Sequence, residues 1–314
     1  MPPSDAKHEY FKIHKKFKYA PFCADFGPYN LGTTHHFCDT VKRMLKNPEN
    51  SRKQIVFCCG VETEDVTNAV YLLGSFLVLK MEASVLDVMH IFSALPRGVL
   101  RPYRDATWVR STYDLKLDDC WAALQRAVAT GLYMPASFSK EEYFYYEEPC
   151  NGDMHVILPG KFLAFRGPVG RRGGQGSSCF VPADYFEVFK SQDVSTVIRL
   201  NSPEYDREDF VKGGFSHHEL QFRDCSTPPP RIIDEFLRIA EGETRTIAVH
   251  CLAGLGRTGT LIAIYIMKHF YFTAAEAIAW VRICRPGSII GPQQQFLEDL
   301  EEILHAMGRA GGTQ

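Results

Sequence analysis

Two stretches of this chain repeat one succession of apolar and polar positions. In the second, TIAVH (from Thr246) is a short β-branched and apolar run, HCLAGLGR turns glycine-studded, and TGTLIAIYIMKHF has the length and apolar density of a buried helix. The pattern predicts a strand, a tight loop and a helix. When the chain is slid along itself so that Ile55 lies over Ile247, IVFCCGVETEDVTNAVYLLGSFLVLKMEASVLDVMHIFSAL covers IAVHCLAGLGRTGTLIAIYIMKHFYFTAAEAIAWVRICRP. Strand, cysteine, helix, short turn and second helix then coincide in order and length, so the halves read as two copies of one α/β unit.

Between the copies lies MPASFSKEEYFYYEEPCNGDMHVILPG. Ser139 followed by Glu142 is a capping-box pattern opening a short acidic and aromatic helix, which Pro149 closes. Gly152 and Pro159 mark a loop before KFLAFRGP, read as the first strand of the second unit. The expected division is residues 1–136 for the first unit, 137–158 for an acidic linker helix and loop, and 159–314 for the second unit.

The spacing Cys, five residues, Arg occurs three times, at Cys120–Arg126, Cys225–Arg231 and Cys251–Arg257. The first has helical apolar spacing and no glycine. The second contains three consecutive prolines, which supply no N–H groups. Only the third carries glycines, Gly254 and Gly256, that let a chain curl its N–H groups around an anion. The following helix would aim its unpaired N–H groups and partial positive charge at the same point. That field, with Arg257, should stabilise a thiolate on Cys251 and make it a nucleophile near neutral pH. A Walker-type nucleotide loop fits poorly, since no Lys follows the glycines.

This chemistry is present in one copy. In the overlay Cys59 falls on Cys251, but Asp65 falls on Arg257, Glu62 and Glu64 on Gly254 and Gly256, and Cys58 on His250. Three carboxylates around the cradle would repel a dianion and keep the thiol protonated, so the first unit is expected to be catalytically dead.

HCLAGLGRTG is similar to the signature of cysteine-dependent protein phosphatases, and AVHCLAGLGRTGTLIA resembles the cell-division-cycle-fourteen family of dual-specificity phosphatases. CADFGPYNLG and YRDATW in the first half, with PGKFLAF, RLN, STP and RICRPGSIIGPQQQFL in the second, carry the likeness over almost the whole chain. The resemblance implies an α/β fold of two tandem protein-tyrosine-phosphatase-like domains, each a central mixed sheet flanked by helices, the first catalytically degenerate. It also implies a long C-terminal tail in many relatives, where this sequence stops at RAGGTQ.

The resemblance implies the roles as well. Cys251 takes the phosphoryl group, held in the loop Leu252, Ala253, Gly254, Leu255, Gly256 and Arg257, and no step requires a metal or cofactor. Arg257 grips two equatorial oxygens through its planar fork. Asp224, in LQFRDCSTPPP, is the general acid and then the base that activates water; its bland alternative is a helix N-cap. Thr258 donates to the Cys251 sulfur. His250 is expected to fix the loop by hydrogen bonds rather than to transfer protons, with tuning of the thiol as the other reading. Gln293 or Gln294 orients the hydrolytic water, or simply begins a helix after Pro292. The chain departs from the family pattern at Cys225, where the family has Gly, and at Leu252, where it usually has Lys.

The implied partners are phosphorylated proteins, products of proline-directed kinases: phosphoserine or phosphothreonine before proline with a basic residue downstream, and some phosphotyrosine. A cell-cycle or mitotic-exit role and a nuclear, nucleolar or cytoskeletal and centrosomal setting are implied in the same way. Glu141, Glu142, Glu147 and Glu148 on the linker helix are the candidates to attract that basic residue, against the alternative of a solvated face. Two other readings stay open. One is a phosphoinositide or small-phosphoester phosphatase, which the uncharged loop positions Leu252, Ala253 and Leu255 disfavour. The other is a phosphopeptide-binding scaffold without turnover.

Composition adds little. With 45% hydrophobic and 23% charged residues and a formal net charge of −2, the chain gives no reason to expect nucleic-acid binding. MPPSDAKHEYFKIHKKFK is too charged for a signal peptide and VYLLGSFLVL too short to span a bilayer, so an intracellular protein is expected. Ten cysteines without compact spacing suit free thiols in a reducing compartment, and none has structural zinc spacing.

Overall fold

Along the strand Phe162–Arg166 the side chains alternate between two cores, as a strand buried on both faces requires. Phe162 and Ala164 face one cluster with Ile247, Val249, Phe236 and Ile264, while Leu163 and Phe165 join Met154, Tyr185, Phe189 and Phe210 on the other side. The computed structural model describes residues 3–171 and 180–311.

The second unit is built on a five-stranded sheet. Its strands are β3 (Met154–Leu158), β4 (Phe162–Arg166), β5 (Val194–Arg199), β6 (Ser216–Glu219) and β7 (Thr246–Cys251). The order is β3-β4-β7-β5-β6, with β3 antiparallel to β4 and the remaining pairs parallel. β7 is central and buried along its whole length. One face is covered by α8 (Pro230–Gly242), α9 (Gly256–Phe270), α10 (Ala274–Cys284) and α11 (Gln293–Gly311). The other packs against α6 (Phe186–Ser191) and α7 (Glu208–Lys212).

The first unit keeps the helices and loses most of the sheet. Among the described residues it has two parallel strands, β1 (His8–Phe11) and β2 (Gln54–Phe57), rather than a broad central mixed sheet. Its helices are α1 (Leu31–Lys46), α2 (Thr63–Lys80), α3 (Val85–Phe92) and α4 (Leu117–Ala129). The two halves nevertheless share the register found in the sequence: β2, α2 and α3 overlie β7, α9 and α10.

The linker helix α5 (Lys140–Glu147) begins as anticipated, with the Ser139 side chain accepting from Glu142 N at 3.1 Å. The expected boundary needs correction after it. Residues 154–158 form the edge strand β3 of the second sheet, so that sheet begins before Pro159. The apolar pattern of MHVIL belongs to a hairpin with FLAFR, bulged between Val156 and Leu158.

The units join through α4 and α10. Arg126 lies 2.9 Å from Glu276, Tyr133 faces Trp280, and Tyr143 of α5 donates to Cys284 O at 2.8 Å. One apolar core runs continuously through both halves.

Candidate active site

β7 delivers Cys251 to the carboxyl edge of the sheet, and α9 starts five residues later. Between them every carbonyl of the loop is turned outward and engaged. Cys251 O accepts from His250 Nδ1 at 3.0 Å, Leu252 O from Gly167 N at 3.1 Å, and Leu255 O from Gly259 N at 2.8 Å. Ala253 O and Gly254 O accept from Arg285 at 2.9 and 2.8 Å. The N–H groups of Leu252, Ala253, Gly254 and Leu255 donate to no group among the described residues. A loop whose carbonyls are engaged elsewhere while its N–H groups are left without partners, at the N-terminus of α9, has the donors that an anion cradle needs.

Gly254 is what permits the curl. It has φ of 69°, and a Cβ there would stand 2.0 Å from Phe165 O on β4. No other residue fits so close to that strand.

Arg257, buried in the first turn of α9, uses Nη1 to donate to Leu200 O at 3.2 Å and Phe222 O at 2.9 Å. This anchors one corner of the guanidinium. Its Nε is buried without a hydrogen bond, standing 3.1 Å from Asp224 Oδ1 at an angle unsuited to one. Asp224 itself is exposed, on the turn between β6 and α8. It does not cap α8, whose N-cap is Pro229, so the bland reading of this aspartate fails. Cys225 follows it in the left-handed conformation, φ 54°, where the resembled family has glycine.

His250 is fully buried and accepts a defined role. A carbonyl only accepts, so Nδ1 carries the proton given to Cys251 O, and Nε2 must accept from Tyr205 OH at 2.8 Å. Tyr205 in turn accepts from His217 Nε2 at 2.8 Å, which leaves His217 Nδ1 bare, buried and unpartnered. Burial pushes both histidines down to about 3, with neighbouring arginines adding to it. Both rings are neutral at ordinary pH, and His250 links Cys251 O to Tyr205.

The remaining expected residues divide. Thr258 is buried at the start of α9, but its hydroxyl has no partner, so the anticipated donation to the Cys251 sulfur is not made. Gln293 reaches the site: its Oε1 accepts from Ile290 N at 2.9 Å, its Nε2 donates to Ser226 O at 3.1 Å beside the Asp224 turn, and it packs against Gly256. Gln294 points elsewhere, accepting from Arg282 at 2.6 Å and donating to Gly291 O at 3.0 Å. Leu252 is exposed at the rim.

The four glutamates of the linker do not touch the loop. Glu141 and Glu148 are exposed, Glu142 accepts from Gln192 Nε2 at 2.8 Å, and Glu147 accepts from Asn30 Nδ2 at 2.6 Å. The first unit does approach the site from another side. Half-exposed Phe22 stands against Gly287 beside Leu255, and Asp105 Oδ2 accepts from Gly291 N at 2.8 Å.

Sequence reasoning missed Arg285, Tyr205 and His217. Arg285 had a partial signal: a second arginine close after Arg282, directly before Pro286, where a mainly apolar helix ends. Tyr205 and His217 had none, because only the sheet brings them behind His250.

Residues 1–127 match a family model described as dual specificity protein phosphatase, N-terminal half, and residues 174–270 one described as polymorphic toxin system, DSP-PTPase phosphatase. Dual specificity protein phosphatase CDC14A of Mus musculus is 41% identical over 308 residues, covering 98% of this chain and 51% of the relative. Dual specificity protein phosphatase CDC14C of Homo sapiens is 43% identical over 299 residues, covering 94% and 66%. The chain therefore spans about half to two thirds of the length of these relatives. A solved structure of Tk-PTP in the active form is 25% identical with a TM-score of 0.39, covering 48% of this chain and 96% of that one.

Proposed function

Because the chain belongs to the CDC14 family of dual-specificity phosphatases, we propose that it hydrolyses phosphomonoesters on proteins through a phosphocysteine intermediate. The observation that carries this reading is the inward ring of free amides around Cys251, with Arg257 and Asp224 meeting at 3.1 Å on its open side.

In the proposed first step Cys251 Sγ attacks phosphorus as the ester P–O bond breaks, and Asp224 gives its proton to the leaving oxygen. The loop amides and the free Nε and Nη2 edge of Arg257 bind the equatorial oxygens, whose charge grows in the transition state. Nη1 is already tied to two carbonyls, so the fork is oriented before substrate arrives. The incoming phosphate takes the place beside Arg257 Nε that the Asp224 carboxylate occupies here.

In the second step water attacks phosphorus, Asp224 accepts its proton, and Cys251 leaves as thiolate. Gln293 rather than Gln294 is proposed to orient that water, since only Gln293 borders both Gly256 and the Asp224 turn. The unpartnered Thr258 hydroxyl donates to the sulfur when it departs.

The substrates proposed are phosphoserine and phosphothreonine before proline with a downstream basic residue, and phosphotyrosine, with a part in cell-cycle dephosphorylation. Exposed Glu148 is left to attract the basic residue, because Glu142 and Glu147 are already engaged and Glu141 stands 3.6 Å from Lys140 Nζ. Acid-quench mass spectrometry during turnover of an aryl phosphate should find phosphorus on the peptide containing Cys251. Phosphorus on another side chain, or none with turnover proceeding, overturns the mechanism. A phosphopeptide panel run beside phosphoinositides decides the substrate class.

A further inference from the structure

We infer that Arg285 is a positioning residue that sets the oxyanion affinity of the loop from outside, without touching the oxyanion. The inference rests on the reading of residues 251–257 as an oxyanion site and extends it to a residue outside that loop.

Arg285 is almost fully buried just beyond α10, in the segment that precedes α11. Its Nε donates to Gly254 O and its Nη2 to Ala253 O, at 2.8 and 2.9 Å. A peptide unit is rigid, so holding a carbonyl outward holds the next N–H on the opposite side. The two carbonyls taken by Arg285 thereby direct the Gly254 and Leu255 N–H groups inward. Both belong to the four amides that find no partner among the described residues.

The clamp is itself held from behind. Nη2 lies 2.8 Å from Asp153 Oδ1, and Nη1 is 2.9 Å from His155 Nδ1. Arginine only donates, so His155 Nδ1 accepts and the ring proton sits on Nε2. Burial pushes the His155 pKa down, and the neutral ring this requires is the one the contact needs. Nε2 stands 3.8 Å from Glu147 Oε1, beyond hydrogen-bond length, and Glu147 takes a hydrogen bond from Asn30 at the start of α1. Arg285 thus ties the loop to Asp153 and to β3. Lysine carries the same charge but cannot span two carbonyls and an imidazole with a planar fork.

The test uses the full chain with Cys251→Ser, so that no turnover is needed, and titrates tungstate by calorimetry. In that background Arg285→Ala should weaken tungstate on the order of tenfold or more, because misaligned donors lose most of their value. Arg285→Lys should weaken it by a smaller factor. Millimolar guanidinium, far below denaturing levels, should restore part of the affinity to Arg285→Ala and none to Arg285→Lys. Circular dichroism reports folding, and if the alanine variant does not fold, the lysine variant decides. Folded variants that bind tungstate like the parent overturn the inference. If the Cys251→Ser chain itself binds no tungstate, the reading of the loop falls instead.

Discussion

The loop after β7 and the loop after β2 begin from the same register and end as electrostatic opposites. After β7 the sixth residue beyond the cysteine is Arg257, buried against two carbonyls and facing the cradle. After β2 the equivalent residue is Asp65, whose Oδ2 would lie 2.0 Å from a Cβ on Gly60, so the carboxylate fills the space the cradle would need. Partial burial pushes the Cys59 thiol up, and Asp65 adds to the rise. Strand position differs as well: β7 is the centre of five strands, while β2 is one of two. A strand–loop–helix unit supplies a frame, and a handful of side chains decide whether the frame attracts or repels phosphate.

The largest effect expected from this contrast separates the cysteines. Cys251→Ser should lower hydrolysis of an aryl phosphate by about four orders of magnitude or more. Cys59→Ser should leave it within about twofold, as for a surface change remote from the chemistry. Comparable losses at both positions would break the contrast.

Asp224→Ala should cost roughly 10²- to 10⁴-fold in kcat on an alkyl phosphate, and less on an aryl phosphate, whose leaving group needs the proton less. Equal losses on both substrates would remove Asp224 from proton transfer. In the first unit, Asp65→Asn should speed alkylation of Cys59 by iodoacetamide at neutral pH, because it removes a charge that holds the thiol up. An unchanged alkylation rate, followed by peptide mass spectrometry, would mean burial alone sets that thiol.

A smaller effect tests the rigidity behind the active loop. His250 and His217 are held near 3 in the fold, against about 6.5 when unfolded. Below pH 6.5 the unfolded chain therefore binds protons that the folded chain does not. Stability should be level above that pH and fall as pH drops toward 3, on the order of 1 kcal/mol per unit for each histidine. Urea unfolding of His217→Gln across this range should show a shallower fall, and an unchanged slope would assign the loss to other groups. The smallest change is Cys225→Gly, which relieves a left-handed residue and should add about 1 kcal/mol, or roughly 2–4 °C in Tm. A lower Tm would mean the thiol makes contacts worth more than the strain.

The strand, loop and helix around Cys251 were legible because apolar runs and paired glycines are local signals. Gly254 shows the limit of that legibility: its need for a positive φ is visible, but the carbonyl of Phe165 that forbids a side chain comes from β4. The repeat was legible for the same reason, since period and length survive when chemistry does not. The edge strand β3 was hidden because MHVIL lies between turn residues in a stretch dominated by acidic and aromatic positions. Gln293 and Gln294 could not be told apart in the sequence, and only the turn at the head of α11 sends one to the Asp224 turn and the other to Arg282.

What the sequence alone determined is which loop carries the glycines and arginine proposed to bind an oxyanion and which carries carboxylates in their place, because these are local features of the chain. Tertiary structure decided which distant groups surround that loop. Arg285 arrives from beyond α10 and bonds two loop carbonyls, while Tyr205, from the segment after β5, bonds His250 behind the loop and His217 of β6 bonds Tyr205, each at about 3 Å or less. Such contacts depend on how distant segments pack, and a pattern read along one chain does not contain those distances.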